Sequence, residues 1–226
     1  MAMNSISENI RQLVQELPPE VQLVAVTKTR TPGEAMEAYN VGLRIFGENR
    51  VPEMSSKINL LPADISWHLI GHLQSNKVKQ AVAAASVIES VDTVRLLRLI
   101  DAEASARGRT IDCLLQFHIA AEETKSGFSP GEAMETDWGM IASSLSSARI
   151  CGVMGMASFT EDMVKVRAEF RILAGLFRQM RESYFANDTH FREISMGMSG
   201  DWQVAVEEGS TMIRVGTLIF GERIKK

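Results

Sequence analysis

The stretch VQLVAVTK, residues 21–28, is an almost unbroken apolar run rich in β-branched side chains, and it ends on a lysine. Turn-forming residues follow directly, in TRTPG at 29–33. A run this short that is closed by a turn predicts a strand buried on both faces. Because side chains alternate along a strand, Lys28 shares a face with Val24 and Val26 and stands at the open end of that face. Lys28 is therefore either a structural lysine whose stem covers apolar surface or a reactive amine.

A short apolar strand followed by a helical stretch recurs eight times along the chain. The predicted strands are residues 22–28, 44–48, 66–70, 87–91, 112–119, 149–154, 191–196 and 212–215. The helical stretches are predicted to begin near Pro32, Pro52, Asn76, Thr93, Pro130, Asp162, Gly200 and Leu218. Residues 4–16 predict an extra helix at the N-terminus, in which Ser5 and Glu8 have the spacing of a capping box.

Eight alternating units favour an α/β fold in which parallel strands are joined by crossover helices and close into a (β/α)8 TIM barrel. An open doubly wound sheet is the competing architecture, but it would leave two strands at exposed edges. No linker rich in Gly, Pro or Ser divides the chain, so residues 1–226 are predicted to form a single domain.

Composition excludes several classes of protein. A formal net charge of -4 argues against a nucleic-acid partner, which needs a basic face. The sequence shows neither a secretory signal nor an apolar segment long enough to span a membrane, so we expect a cytoplasmic protein without a membrane partner. Cys113 and Cys151 both lie in apolar runs and are expected to be buried, reduced thiols.

The loops after the seventh and eighth strands suggest an anion site. They read SMGMSGDW at 195–202 and RVGTLIFG at 214–221. Small residues there let backbone amides approach an anion, and Ser199 or Asp201 could cap the following helix. Arg214 interrupts an apolar strand, where a guanidinium is costly without an acceptor. It either forms an ion pair with a carboxylate such as Glu48 or Glu193, or it serves a ligand.

Closure of the barrel would place the eighth strand beside the first. Lys28, Arg214 and the anion-binding loops then surround one spot, as a Schiff-base cofactor carrying a phosphate would require. His68 and His72 have a spacing that suits two metal ligands on a helix, but they bracket a strand end and no third ligand follows closely, so no metal site is expected.

At these residues the chain resembles the pyridoxal phosphate homeostasis protein family, small proteins related to the barrel domain of alanine racemase. The matching motifs are AVTKT at 25–29, FGEN at 46–49, WHLIG at 67–71, LQSNK at 73–77, ETKSGF at 123–128, GVMGM at 152–156, SMGMSGD at 195–201, GSTMIRVGT at 209–217 and IFG at 219–221.

The resemblance implies a barrel of the alanine racemase N-terminal-domain type and pyridoxal 5'-phosphate as the cofactor. It implies that Lys28 forms the internal aldimine, that Arg214 faces the pyridine nitrogen and that Asn49 lies beside the ring. The motif at 195–201 supplies Met198 and Ser199, and Ser199 is expected at the phosphate together with Gly216 and Thr217. An unperturbed lysine has a pKa of about 10.4, which desolvation and the nearby Arg214 are expected to lower.

A ring nitrogen facing Arg214 must stay unprotonated, because arginine only donates hydrogen bonds and keeps its proton. A neutral pyridine is a poor electron sink, which disfavours transamination and decarboxylation. Alanine racemase tolerates such an arginine but uses a tyrosine as its second acid/base, whereas Tyr39 and Tyr184 fall in predicted helices away from the strand ends.

The leading hypothesis is a monomeric protein that holds and delivers pyridoxal phosphate, with apo-enzymes that use this cofactor as partners and no catalytic residues of its own. A weak amino-acid racemase and a cofactor-free Schiff-base aldolase remain as enzymatic alternatives. A regulatory scaffold that binds an acceptor enzyme through the loop at 122–130 is a further one.

Overall fold

The apolar runs of the sequence form parallel strands that close into a barrel. In the computed structural model, which describes residues 5–120 and 126–222, each strand pairs with the next and the eighth pairs with the first. The strands are β1 Gln22–Val26, β2 Ile45–Glu48, β3 Ser66–Leu69, β4 Val87–Val91, β5 Ile111–Phe117, β6 Ala148–Gly155, β7 Glu193–Ser195 and β8 Met212–Val215. The predicted TIM-type barrel is confirmed, and the open sheet is excluded. The assignment of the whole chain to one domain stays a prediction.

Helices cover the outside of the barrel. They are α1 Ile6–Glu16, α2 Pro32–Asn40, α3 Val51–Ile58, α4 Val78–Ala84, α5 Val94–Ala106, α6 Pro130–Glu135, α7 Trp138–Ser144, α8 Met163–Tyr184, α9 Trp202–Glu207 and α10 Thr217–Phe220. The N-terminal helix begins at the predicted capping box, in which Ser5 and Glu8 exchange side-chain and backbone hydrogen bonds.

The two faces of β1 separate two environments. Leu23 and Ala25 belong to the apolar layer between strands and helices. Val26 instead lines a cavity at the C-terminal end of the barrel, and Lys28 lines the same cavity. The predicted alternation along this strand is therefore confirmed.

The end of the first strand and the helix after Pro130 both differ from the sequence-based expectation. The first strand ends at Val26 rather than at Lys28, because Thr29 adopts a left-handed backbone with φ 64° and the chain turns there. One helix was predicted from Pro130 onward, but the chain breaks it and starts α7 at Trp138. Asp137 caps this new helix by accepting the backbone N–H of Met140 at 2.9 Å.

The membrane and cysteine expectations can be compared with the described parts of the chain. In residues 5–120 and 126–222, no helix has both the length and the apolar character needed to cross a membrane. Cys113 and Cys151 are buried and not disulfide-bonded. Burial raises the pKa of both thiols, that of Cys151 to about 12, so that both stay protonated and unreactive at neutral pH.

Candidate functional site

A cavity of about 510 Å³ opens at the C-terminal ends of the strands. The seven residues predicted from the sequence all line it: Lys28, Asn49, Met198, Ser199, Arg214, Gly216 and Thr217. The size lies within the usual range for small-molecule sites, about 300–1,000 Å³. The structure thus brings the predicted residues together, while their individual binding roles stay predictions.

The backbone on both sides of Lys28 is held by helix α3. The ammonium of Lys57 donates a hydrogen bond of 2.6 Å to the carbonyl of Thr27. On the other side, the N–H of Thr29 donates to the carboxylate of Glu53 at 3.2 Å. Thr29 is a β-branched residue with positive φ, a conformation that costs about 1–2 kcal/mol and persists only when the surroundings impose it. These contacts fix the peptide that carries Lys28 at the edge of the cavity.

A buried ion pair lies directly behind this peptide. Lys57 contacts Glu48 at 2.6 Å, and the hydroxyl of Thr27 donates to the same carboxylate oxygen at 2.6 Å. The second oxygen of Glu48 is buried without a hydrogen-bond partner. Burial raises the pKa of Glu48, although the hydrogen bonds from Lys57 and Thr27 oppose this effect.

Arg214 is buried on β8 and reaches the floor of the cavity. Its guanidinium donates hydrogen bonds to the hydroxyl of Ser195 and, at 2.9 Å, to the carbonyl of Gly155. Its carboxylate neighbour is Glu89 on β4, at 3.8 Å. Burial lowers the pKa of Arg214, and the negative charges of Glu89 and Asp201 act against this.

The sequence-based prediction that Arg214 forms an ion pair with Glu48 or Glu193 is wrong. Glu48 pairs with Lys57 on the outer side of the barrel, and Glu193 pairs with Arg192 at 3.1 Å. Both carboxylates are therefore engaged elsewhere.

The loops after β7 and β8 are tied to each other and to β1. The Ser199 hydroxyl accepts the N–H of Leu218 at 3.3 Å, which links the two loops. A Cβ atom on Gly216 would lie 3.3 Å from the carbonyl of Val26, so a glycine allows the eighth loop to pack against the strand that carries the lysine. Asp201 precedes α9 but makes no side-chain capping bond to it, because its carboxylate accepts the N–H of Met198 at 2.5 Å instead. Burial raises the pKa of Asp201, with Arg214 opposing the shift.

Asn49 supplies an acceptor in the cavity wall. Its side-chain oxygen is buried and has no hydrogen-bond partner among residues 5–120 and 126–222. Buried polar atoms are rarely left in this state, so the oxygen is suited to a donor group on a bound molecule.

Sequence reasoning did not assign four polar residues to the cavity: Arg30, Ser158, Thr160 and Asp201. The sequence suggests Asp201 only as a cap of the following helix. Arg30 forms an ion pair with Glu34 at 3.3 Å and stands over the ring of Phe220. The sequence does contain a sign that Arg30 lies at the cavity, because it stands in the turn only two residues after Lys28.

The two histidines considered as metal ligands, His68 and His72, do not line this cavity. His68 pairs with Glu89 and His72 pairs with Asp92. Within 5–120 and 126–222, no cluster of three His, Cys, Asp or Glu side chains is arranged to hold a metal. Residues 123–125 of the motif at 123–128, and residues 122–125 of the scaffold loop at 122–130, lie outside the described residues.

Comparisons with known proteins agree with this geometry. The family model described as alanine racemase, N-terminal domain, matches residues 2–224. A pyridoxal phosphate homeostasis protein from Aquifex aeolicus is 37% identical over 203 residues, covering 89% of this chain and 87% of its own. The human protein of that name is 34% identical over 237 residues, covering 98% and 86%.

A solved structure has about the same sequence identity to this chain as these two relatives. PipY from Synechococcus elongatus PCC7942, with PLP bound, has a TM-score of 0.86 and 36% identity, covering 96% of this chain and 100% of that one. An alanine racemase from Clostridium difficile 630 has a TM-score of 0.75 at 11% identity, covering 98% of this chain and 57% of that one, which shows likeness of fold alone.

The closed barrel and its lysine-bearing cavity thus define a protein of the alanine racemase N-terminal-domain class. Within that class, the chain belongs to the pyridoxal phosphate homeostasis protein family.

Proposed function

We propose that this protein binds pyridoxal 5'-phosphate reversibly through Lys28 and takes part in pyridoxal phosphate homeostasis. The observation that carries the proposal is the meeting of Lys28, Arg214 and the loops after β7 and β8 in one cavity. Similarity to PipY, whose solved structure has PLP bound, supports it.

The residues present fit this cofactor. When bound, pyridoxal 5'-phosphate supplies an aldehyde that condenses with a primary amine and releases water. Lys28 offers the amine at the rim of the cavity, and Ser199, Gly216 and Thr217 offer a hydroxyl and backbone amides for the phosphate. The side-chain oxygen of Asn49 can accept a donor from the ligand.

The balance of charge suits an anionic ligand. Lys28, Arg30 and Arg214 contribute three cations to the cavity lining, whereas Asp201 is the carboxylate among the described lining residues. Burial raises the pKa of Asp201, against the hydrogen bond from the Met198 backbone and the charge of Arg214. A phosphate-bearing ligand therefore meets more basic than acidic side chains in the lining.

We infer further that the protein holds and releases the cofactor without strong catalysis. In the described ranges, no tyrosine lines the cavity. Tyr39 bonds Asp64, and Tyr184 ends α8, so each belongs to the helical layer. A racemase needs a second acid/base opposite the lysine, and the tyrosines of this chain do not supply one there.

The direct test is an absorbance titration of the purified protein with pyridoxal phosphate. We expect a visible band that saturates at one equivalent, is absent in Lys28→Ala and is kept in Lys79→Ala, a control at an exposed lysine of α4. Borohydride reduction followed by peptide mass spectrometry should locate the adduct at Lys28. A wild-type protein that ignores the cofactor would refute the proposal.

Two further measurements separate the enzymatic alternatives. An aldolase would be trapped by borohydride with a sugar phosphate in the absence of pyridoxal phosphate. A racemase would exchange solvent deuterium into the α-position of an amino acid. We expect neither result.

The remaining parts of the proposal concern the setting of the protein. We propose a cytoplasmic, monomeric protein that passes its cofactor to apo-enzymes that depend on it. Light scattering tests the monomer, cell fractionation tests the location, and activation of an apo-aminotransferase by the loaded protein tests transfer.

A further inference from the structure

A chain of buried polar side chains crosses the interior of the barrel beneath the cavity. The hydroxyl of Ser195 donates to one oxygen of Glu89 at 2.6 Å and accepts a hydrogen bond from Arg214. The other oxygen of Glu89 lies 2.7 Å from Nδ1 of His68. His68 lines a second cavity, of about 220 Å³, at the N-terminal ends of the strands. The chain therefore reaches from one end of the barrel to the other.

The members of this chain come from four separate strands, β3, β4, β7 and β8. Glu89 and Ser195 are completely buried, and His68 and Arg214 are nearly so. Charged groups in such surroundings are costly unless they are paired and hydrogen-bonded. Here both oxygens of the Glu89 carboxylate have a partner, His68 for one and Ser195 for the other, so the position of the carboxylate inside the barrel is fixed.

The contacts of Glu89 favour the ionised form of its carboxyl. Burial would raise the pKa of its carboxyl, but the hydrogen bond and charge of His68, the charge of Arg214 and the hydroxyl of Ser195 hold that pKa below its ordinary value. A carboxylate and a guanidinium thus face each other with a hydroxyl between them.

We propose that Glu89 is a positioning residue for the cofactor site. Acting through Ser195, it compensates the charge of Arg214 and aims the guanidinium at the cavity floor, while His68 holds the carboxylate from the other side. Two of the five N–H groups of Arg214 are directed to Ser195 and Gly155, and the guanidinium still lines the cavity. This inference rests on the proposed function, in which Arg214 faces the pyridine nitrogen.

The first experiment uses the protein without cofactor. The side-chain Nε–H signal of Arg214, assigned by its loss in Arg214→Gln, should shift in Glu89→Gln and in the milder Ser195→Ala. It should stay in place in Asp101→Asn, a control whose carboxylate accepts three backbone N–H groups at 146–148 away from the cavity. An Arg214 signal that is unchanged in both Glu89→Gln and Ser195→Ala would overturn the inference, whatever the protein binds.

The second experiment is a double-mutant cycle on the dissociation constant for pyridoxal phosphate. Glu89→Gln should weaken binding roughly tenfold, because it removes the negative charge that faces Arg214. In the Arg214→Gln background, the same change should weaken binding less than about twofold, because its effect passes through the guanidinium. An equal loss in both backgrounds would mean that Glu89 acts through the general structure and would sink the idea. A wild-type protein without affinity for the cofactor would instead refute the proposed function, and the Arg214 signal would still decide the role of Glu89.

Discussion

Replacement of Lys57 by methionine tests whether the peptide that carries Lys28 depends on the buried pair behind it. The Lys57 side chain is 6% exposed and that of Glu48 is 0% exposed, with 2.6 Å between the charged atoms. Methionine keeps an unbranched side chain, one atom shorter than that of lysine, but removes the bonds to Glu48 and to the Thr27 carbonyl. Glu48 is then left with the hydroxyl of Thr27, while its second oxygen already lacks a partner.

The expected magnitude follows from this geometry. Removal of one partner of a buried ion pair costs about 3–5 kcal/mol, because an uncompensated charge stays inside. The variant can escape part of this cost by protonating Glu48, whose pKa burial already raises. Loss of the Lys57 ammonium should raise this folded-state pKa further. The variant should therefore lose stability relative to wild type as the pH rises from the folded-state pKa of Glu48 in wild type to that in the variant, by up to about 1.4 kcal/mol per pH unit.

The assay is urea unfolding of the protein without cofactor at several pH values, with the slope of the transition checked for constancy. The double variant Glu48→Gln with Lys57→Met is the matched control, because it removes both charges. It should recover most of the lost free energy of unfolding. A Lys57→Met protein within about 1 kcal/mol of wild type at neutral pH, or a double variant as unstable as the single one, would refute the reasoning.

Four other expected outcomes follow from individual positions. Gly175→Ala in α8 should raise the free energy of unfolding by about 0.5–1 kcal/mol, since a Cβ there meets nothing within 4 Å; thermal unfolding checks this. Gly152→Ala should prevent normal folding, because its Cβ would stand 1.8 Å from the carbonyl of Glu193 at φ 154°; the yield of folded protein and its circular dichroism report the result. Thr29→Asn should stabilise by about 1 kcal/mol in urea unfolding, since asparagine tolerates the left-handed backbone. The lowered pKa of Glu89 contributes stability above the unfolded pKa of about 4.3 that disappears as the pH falls through the folded value; acid titration of wild type against Glu89→Gln should show the loss in wild type and a weaker dependence in the variant.

The strands and their order could be predicted from the sequence because each is a short apolar run between turn residues. The predicted 87–91 and 212–215 coincide with β4 and β8, and the others agree to within a few residues at each end. Closure then follows, since eight parallel strands bury their edges only by pairing the last with the first. That step alone brings Lys28 near Arg214, with Val24 opposite Arg214 in the register.

The partners of buried charges could not be predicted in the same way. Arg214 and Glu89 each interrupt an apolar strand, and this was a usable sign that two opposite charges would meet inside. Which carboxylate meets which cation depends on the stagger of strands around the barrel and on the length of each side chain. Glu48 lies on the outer face and pairs with Lys57 of α3, a distinction that requires the strand register. The helix break at Asp137 was missed because the apolar pattern continues across it.

The ion pairs around the cavity support the proposal that the site binds a cofactor without catalysing a reaction on it. Arg214 has Glu89 beside it, and Arg30 has Glu34, so both guanidinium groups are oriented by the protein itself. Pre-oriented groups lose little freedom when a ligand arrives, which favours binding without a rearrangement of the site. Catalysis would need in addition a group that accepts or returns a proton opposite Lys28. Asp201 is the titratable carboxyl of the cavity lining, and its carboxylate is already committed to the backbone of Met198. These contacts are the basis of the proposal that a single amine captures and releases the cofactor.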